Sequence, residues 1–317
     1  MRAGPFRSNL LRYGLAMTKQ RQSAELDRAR NDLLTDGFTV IENVLDEQTT
    51  AAIRDRVLTQ ARAERSANLD HAYQAEAEGD HVNQWVYQLI NKGEVLRQLP
   101  VHPVATALAT HLLGPDYLLS SFDAHITFDG NKVMPLHADQ WWMPPPQIPG
   151  TDFVRQGDIA RVATSTGDPT PATSPITGPL ITNVMWMITD FTVDNGATRF
   201  VPKSHLSGQT PSADRSYDEV VAEGPAGSVV AWDGRIWHAA GQNVTSEPRV
   251  GITTYFCGAM VRQLMNHTYG LRSEVKAELD DDYLALLGFK PFSSYGMTDD
   301  PSCDVASPGD ETAGVLE

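Results

Sequence analysis

The chain has 317 residues, with 40 acidic against 25 basic side chains, a net charge of −15 and a hydrophobic share of 41%. That length can bury a sizeable core in one large domain or two modest ones. The negative balance argues against nucleic acid or an anionic membrane as the main partner. Cys257 and Cys303 are the two cysteines, with no Cys-x-x-Cys pair, so a disulfide framework, a thiolate zinc site and an iron–sulfur cluster are unsupported, and a reducing, cytoplasmic compartment is expected.

No apolar run approaches the ~20 residues that a membrane span needs. Residues 1–20 carry Arg2, Arg7, Arg12 and Lys19 and no acid; that pattern allows a transit-like peptide, but a disordered extension is the favoured reading, since Met17 would itself open a plausible chain. Ala24 to Leu34 has helical spacing and stops at Asp36-Gly37, where Gly37 suits a C-cap. Phe38 to Ile41 is β-branched and aromatic, which predicts a strand. Asp46 is placed to N-cap a helix running to about Arg65, with Ile53, Val57 and Ala61 on one face. A polar stretch follows to His81, and Trp85 to Ile90 is an apolar segment that either element type accommodates. Pro103 to Leu113 predicts a helix closed by Gly114.

Beyond Gly114 the pattern becomes strand-like. Tyr117 to Phe128 predicts a strand ended by the Asp129-Gly130 turn. The stretch from Pro144 to Pro179 is dominated by Pro, Gly, Ser and Thr, which excludes a regular element and predicts a long lid-like loop. Strands are expected over Leu180 to Ile188, Gly227 to Trp232, Ile236 to Ala239 and Arg249 to Cys257, with a helix from Ser273 to Leu287. Residues 291–317 form an acidic tail. A single domain over 21–290 is expected, of mixed α+β but mainly β class: helices first, then short strands with Gly-rich turns, as in a jelly roll flanked by helices.

His137 and Asp139 are two apart, so on an extended strand both project to one side. One imidazole and one carboxylate make two-thirds of a facial two-His, one-carboxylate iron site. A distal histidine, His238, lies in Trp237-His238-Ala239, and Arg249 follows it by eleven positions at the start of a strand. On that strand Arg249, Gly251 and Thr253 share one face. A guanidinium presented beside a metal asks for a carboxylate partner, which it grips with two prongs.

This ordered set resembles the iron(II)- and 2-oxoglutarate-dependent dioxygenases. Trp186-Met187-Ile188-Thr189-Asp190, then Asn195-Gly196 and Pro202-Lys203-Ser204-His205, narrow the resemblance to the phytanoyl-CoA dioxygenase-like branch, as does the opening Asp36 to Ile41. It covers roughly residues 24–260. The resemblance implies a double-stranded β-helix (a cupin-like jelly roll) holding iron(II) through His137, Asp139 and His238. Arg249 would bind the distal carboxylate of 2-oxoglutarate. Oxygen would be consumed, succinate and CO2 released, and hydrogen taken from a small-molecule substrate. Related halogenases replace the carboxylate by a small residue, so Asp139 points to hydroxylation.

Some members carry a hydroxyl two residues after the distal histidine, where this chain has Ala240; Thr127 is the candidate for a second cosubstrate contact. His125 is a candidate pocket residue and Trp141 a candidate pocket wall. His205 is expected to cap a turn, and Trp186 to lie in the core. Acyl-CoA hydroxylation, as in the family's namesake, and a non-catalytic jelly-roll binding protein are the alternatives. No motif encodes the substrate or the oligomeric state.

Overall fold

The computed structural model describes residues 23–69, 82–143, 150 and 176–297. The expected extension over 1–20, most of the 144–179 loop and most of the acidic tail lie outside the described residues. A helix over 23–35 (α1) leads into β1 (Phe38–Ile41) and α2 (Glu47–Ser66). Then come β2 (Gln84–Val86), α3 (Glu94–Arg97), α4 (Pro103–Leu113) and β3 (Tyr117–Thr127). The second half contributes β4 (Ile181–Met187), β5 (Thr198–Phe200), β6 (Val220–Val221), β7 (Val229–Asp233), β8 (His238–Ala240) and β9 (Arg249–Gly258). Short helices α5 (His267–Gly270), α6 (Ser273–Lys276) and α7 (Asp281–Leu286) follow.

Two antiparallel sheets result: a six-stranded one in the order β1-β7-β4-β9-β3-β2, and a three-stranded one in the order β6-β5-β8. Strand alternation gives the large sheet two different faces. On β4, Val184 and Trp186 point into a core shared with Ile53 and Val57 of α2 and Leu108 of α4. Met185 and Met187 point the other way, into a second core with Phe200 of β5 and Trp232 of β7. One face therefore packs on helices and the other on the small sheet, the jelly roll expected from the sequence. Trp186 is fully buried on the helix side; its Nε1 donates to Thr254 Oγ1 at 3.3 Å and its ring meets His102 edge-on.

The register of β3 is decided by an irregularity between Leu119 and Ser121. Leu119 is in the helix-side core, and beyond the shift Phe122, Ala124 and Ile126 take that side. An extra residue exchanges the two faces of a strand, so Ser121, Asp123 and His125 are delivered to the space between the sheets.

Local signals were followed closely. Asp46 Oδ1 accepts the Thr49 N–H at 2.7 Å, the N-cap of α2. Gly37 turns the chain after α1 at a φ of +88°. The Pro202 turn docks against it: Lys203 N–H donates to Asp36 O at 2.9 Å, and His205 Nε2 lies 3.3 Å from Leu34 O. His205 thus caps a turn.

Two expectations are corrected. The helix expected from Ser273 to Leu287 is two helices, because Asp280 accepts the Tyr283 N–H at 2.8 Å and starts a new one. The residues around His137 are no strand. His137 makes one isolated antiparallel bridge with His238, and the chain turns at Asp139. The pair is brought together by that turn and by tertiary contacts, with no strand alternation involved.

Candidate metal centre

Reciprocal backbone bonds, His137 N–H to His238 O at 3.0 Å and His238 N–H to His137 O at 2.9 Å, seat the two histidines opposite one another. Their ring centroids are 4.5 Å apart. His137 Nδ1 lies 3.0 Å from Pro135 O, and His238 Nδ1 lies 3.1 Å from Ile236 O. A carbonyl can only accept, so each Nδ1 carries the proton and each Nε2 offers its lone pair inward. Asp139 completes the group, with Oδ1 at 3.9 Å from His137 Nε2 and Oδ2 at 3.5 Å from His238 Nε2. One ligand atom from each of the three lies within 4.8 Å of the others. This donor set, two imidazoles and one carboxylate with further positions open, fits iron(II).

Two residues that the sequence reading did not single out hold Asp139. Asn183 Nδ2 donates to its Oδ2 at 2.6 Å and Trp232 Nε1 donates to the same oxygen at 3.0 Å. Asn183 and Trp232 are cross-strand partners on β4 and β7. Only sheet register reveals them as a pair.

Arg249 enters from β9, beside its register partner Thr127. It is 1% exposed. One Nη donates to Gly196 O at 2.6 Å, the other to Thr127 Oγ1 at 2.7 Å, and the guanidinium lies 4.7 Å over the Phe191 ring. Burial pulls its pKa down to about 10. Among the described residues it has no carboxylate partner, while its Nε is buried without an acceptor. A buried cation in that condition fits a ligand carboxylate. The Asn195-Gly196 turn is what aims it: at Gly196 (φ +80°) an added Cβ would sit 2.6 Å from Gly241 O.

A cavity of about 390 Å³ opens between the sheets and is lined by all three members of the group and by Arg249. The size falls within the ~300–1,000 Å³ of small-molecule sites. His125 lines it, stacked on Trp85 with centroids 4.5 Å apart and its Nε2 buried without a partner. Burial, with the Arg249 charge adding to it, pushes the His125 pKa down to about 3, so the ring is neutral. Thr127 stands behind Arg249 and does not line the cavity. Trp141, expected as a wall, is half-buried and does not line it either, because the turn at 139–142 carries it away; Trp85, Tyr87 and Trp232 form aromatic walls instead. Trp142 packs against Ile181, Tyr255 and Cys257. Ala240 lines the cavity as an alkyl surface.

A model of the phytanoyl-CoA dioxygenase family matches residues 33–251. The chain belongs to the phytanoyl-CoA dioxygenase family. It is similar to dioxygenase af480 of Aspergillus fumigatus, at 29% identity over 266 residues that cover 83% of this chain and 76% of the relative. In fold it matches the epimerase SnoN in complex with Fe3+, alpha ketoglutarate and nogalamycin RO, with a TM-score of 0.54 and 20% identity over 75% of this chain and 85% of the other. It also matches the alpha ketoglutarate dependent carbocyclase SnoK of nogalamycin biosynthesis, with a TM-score of 0.54 and 19% identity over 80% of this chain and 90% of the other. As a member of the phytanoyl-CoA dioxygenase family the protein is a non-haem iron(II)- and 2-oxoglutarate-dependent dioxygenase, and its cofactors are iron(II), 2-oxoglutarate and oxygen. No helix among the described residues is long and apolar enough to cross a membrane.

Proposed function

We propose that the protein hydroxylates a small or medium-sized organic metabolite, with His137, Asp139 and His238 holding iron and Arg249 anchoring 2-oxoglutarate. The observation that carries this is the buried Arg249, without a carboxylate partner among the described residues and lining the same cavity as the His–Asp–His group. Bound iron and 2-oxoglutarate supply oxygen activation, with release of succinate and CO2. The chain's own residues do the rest. The Pro135 and Ile236 carbonyls fix the histidine tautomers. Asn183 and Trp232 hold the carboxylate in place through two donors. Thr127 and the Gly196 carbonyl hold the guanidinium plane. Trp85, Tyr87 and Trp232 present aromatic surface to the occupant of the cavity.

Apart from the histidines, Arg249 is the one basic side chain lining the cavity among the described residues. With that cation assigned to the cosubstrate, no arginine or lysine remains among the described lining residues for a phosphorylated carrier such as CoA, which favours a free metabolite. The test is substrate-dependent succinate formation with iron(II) and 2-oxoglutarate, and mass analysis of the product. Hydroxylation adds one oxygen atom to the substrate; a product of unchanged mass, as in epimerisation, or two hydrogens lighter, as in ring closure, overturns that outcome. Succinate formation that survives both Asp139→Ala and His238→Ala overturns the site assignment.

A further inference from the structure

Resting on the reading of the cavity as an oxygenase site, the geometry points to Asp123 as the group that orients the substrate. We propose that the cavity selects an apolar, ring-containing molecule presenting one O–H or N–H donor to the Asp123 carboxylate, and that it rejects organic anions.

Asp123 lies on β3, two positions from His125 and four from Thr127 on the same face, so it is displaced along the strand away from Arg249. Arg249 marks the cosubstrate end of the cavity, which leaves Asp123 at the other end, opposite Thr253 in register. It is 3% exposed and lines the cavity. Gln88 N–H donates to its Oδ1 at 3.1 Å. An ionised carboxylate accepts at about four lone-pair positions, so capacity remains for a ligand. The nearby cation is engaged elsewhere: Lys92 Nζ lies 2.5 Å from Glu64 Oε1. Burial pushes the Asp123 pKa up to about 6, with the Ser121 hydroxyl, the Gln88 N–H and the Lys92 charge opposing it.

A carboxylate kept there costs the empty protein stability, and a ligand donor would repay that cost. Around it the surfaces are flat or pliant. Trp85 and Tyr87 stack with centroids 5.9 Å apart, and Met134, Leu264 and Met265 also line the cavity. Such walls fit a ring system. An anionic substrate would meet a buried like charge.

The experiment uses the full chain loaded with iron(II) and 2-oxoglutarate without oxygen, and a matched set on one bicyclic scaffold: decalin alcohol, decalin amine, decalin methyl ether and decalin carboxylate. Calorimetry reads each affinity for the wild type, Asp123→Asn and Asp123→Ala. The alcohol and the amine are expected to bind at least tenfold more tightly than the ether and the carboxylate. Asp123→Ala is expected to remove that preference. Asp123→Asn, still an acceptor but uncharged, is expected to keep the alcohol preference and lose the amine's, which separates a hydroxyl ligand from an ammonium ligand. Equal binding across the set in the wild type, binding of none of them, or a preference that survives Asp123→Ala overturns the proposal. Succinate formation is measured separately. An Asp123-dependent preference without turnover by any ligand or by the wild type under oxygen would refute the oxygenase reading alone.

Discussion

Asn183 and Asp139 are 44 positions apart in the chain, yet the Asn183 amide reaches the Asp139 carboxylate at 2.6 Å and fixes the oxygen that faces His238. Trp232 reaches the same oxygen. Partners behind metal ligands commonly contribute about 10–100-fold in affinity. Asn183→Ala is expected to weaken iron(II) binding by that factor while the helical and strand content is retained, and Trp232→Phe to weaken it less. Calorimetric titration with iron(II), or with manganese(II) in air, checks both. Unchanged affinity in Asn183→Ala would mean that the turn at Asp139 positions the carboxylate unaided.

Arg249 is held as a planar fork between Gly196 O and Thr127 Oγ1. Lysine keeps the charge but cannot reproduce both bonds and a bidentate grip together. Arg249→Lys is expected to raise the 2-oxoglutarate dissociation constant at least tenfold, by equilibrium dialysis on the iron-loaded protein. Thr127→Val removes one neutral hydroxyl acceptor and is expected to raise it less than tenfold, about 1 kcal/mol. A larger effect at Thr127 than at Arg249 would reverse their assigned roles.

Two buried histidines set an acid limit on stability. Burial lowers the His125 pKa to about 3 and the His267 pKa to about 4, below the ordinary 6.5. In the unfolded chain both take up protons near pH 6.5, while in the folded one they stay neutral. Their contribution is therefore full above 6.5 and is lost as pH falls toward 4. Asp123, raised to about 6, acts in the opposite sense: unfolding releases its proton between about 4 and 6. The expected net effect is a urea midpoint that falls on acidification from pH 7 to 5. In His267→Gln the slope against pH is expected to drop by about one proton, roughly 1.4 kcal/mol per pH unit. A parallel slope in the variant would place His267 in a site that accepts its charge.

Gly37 and Gly130 separate backbone strain from contact. Both have left-handed φ, +88° and +81°. A Cβ at Gly37 would sit 2.6 Å from His205 Nδ1 and 2.9 Å from Ile236 Cδ1, whereas at Gly130 nothing lies within 4 Å. Gly130→Ala is expected to destabilise by about 1–2 kcal/mol, the left-handed term alone. Gly37→Ala is expected to cost clearly more, since the turn after α1 must part from His205. Equal losses in thermal unfolding would show that the His205 turn moves aside freely.

Where the physics is local, the sequence was sufficient. Asp46 caps α2 because its side chain needs only a backbone N–H three residues on. Gly37 turns the chain because φ there is positive. Trp186 is core and His205 a cap, as their surroundings in the chain suggested. Alternation on β9 placed Arg249, Gly251 and Thr253 on one face, and the phytanoyl-CoA dioxygenase motifs named the His–Asp–His group that the fold assembles. The tertiary structure decided what depends on register and on long chain separation. The shift at Leu119/Ser121 chose which half of β3 faces the cavity. The pairing of β4 with β7 set Asn183 and Trp232 behind Asp139. The single bridge between His137 and His238, where a strand had been expected, brought the ligands together. None of these has a signature in neighbouring residues, because each partner is supplied by a strand or turn tens of positions away and is fixed only when the sheets close.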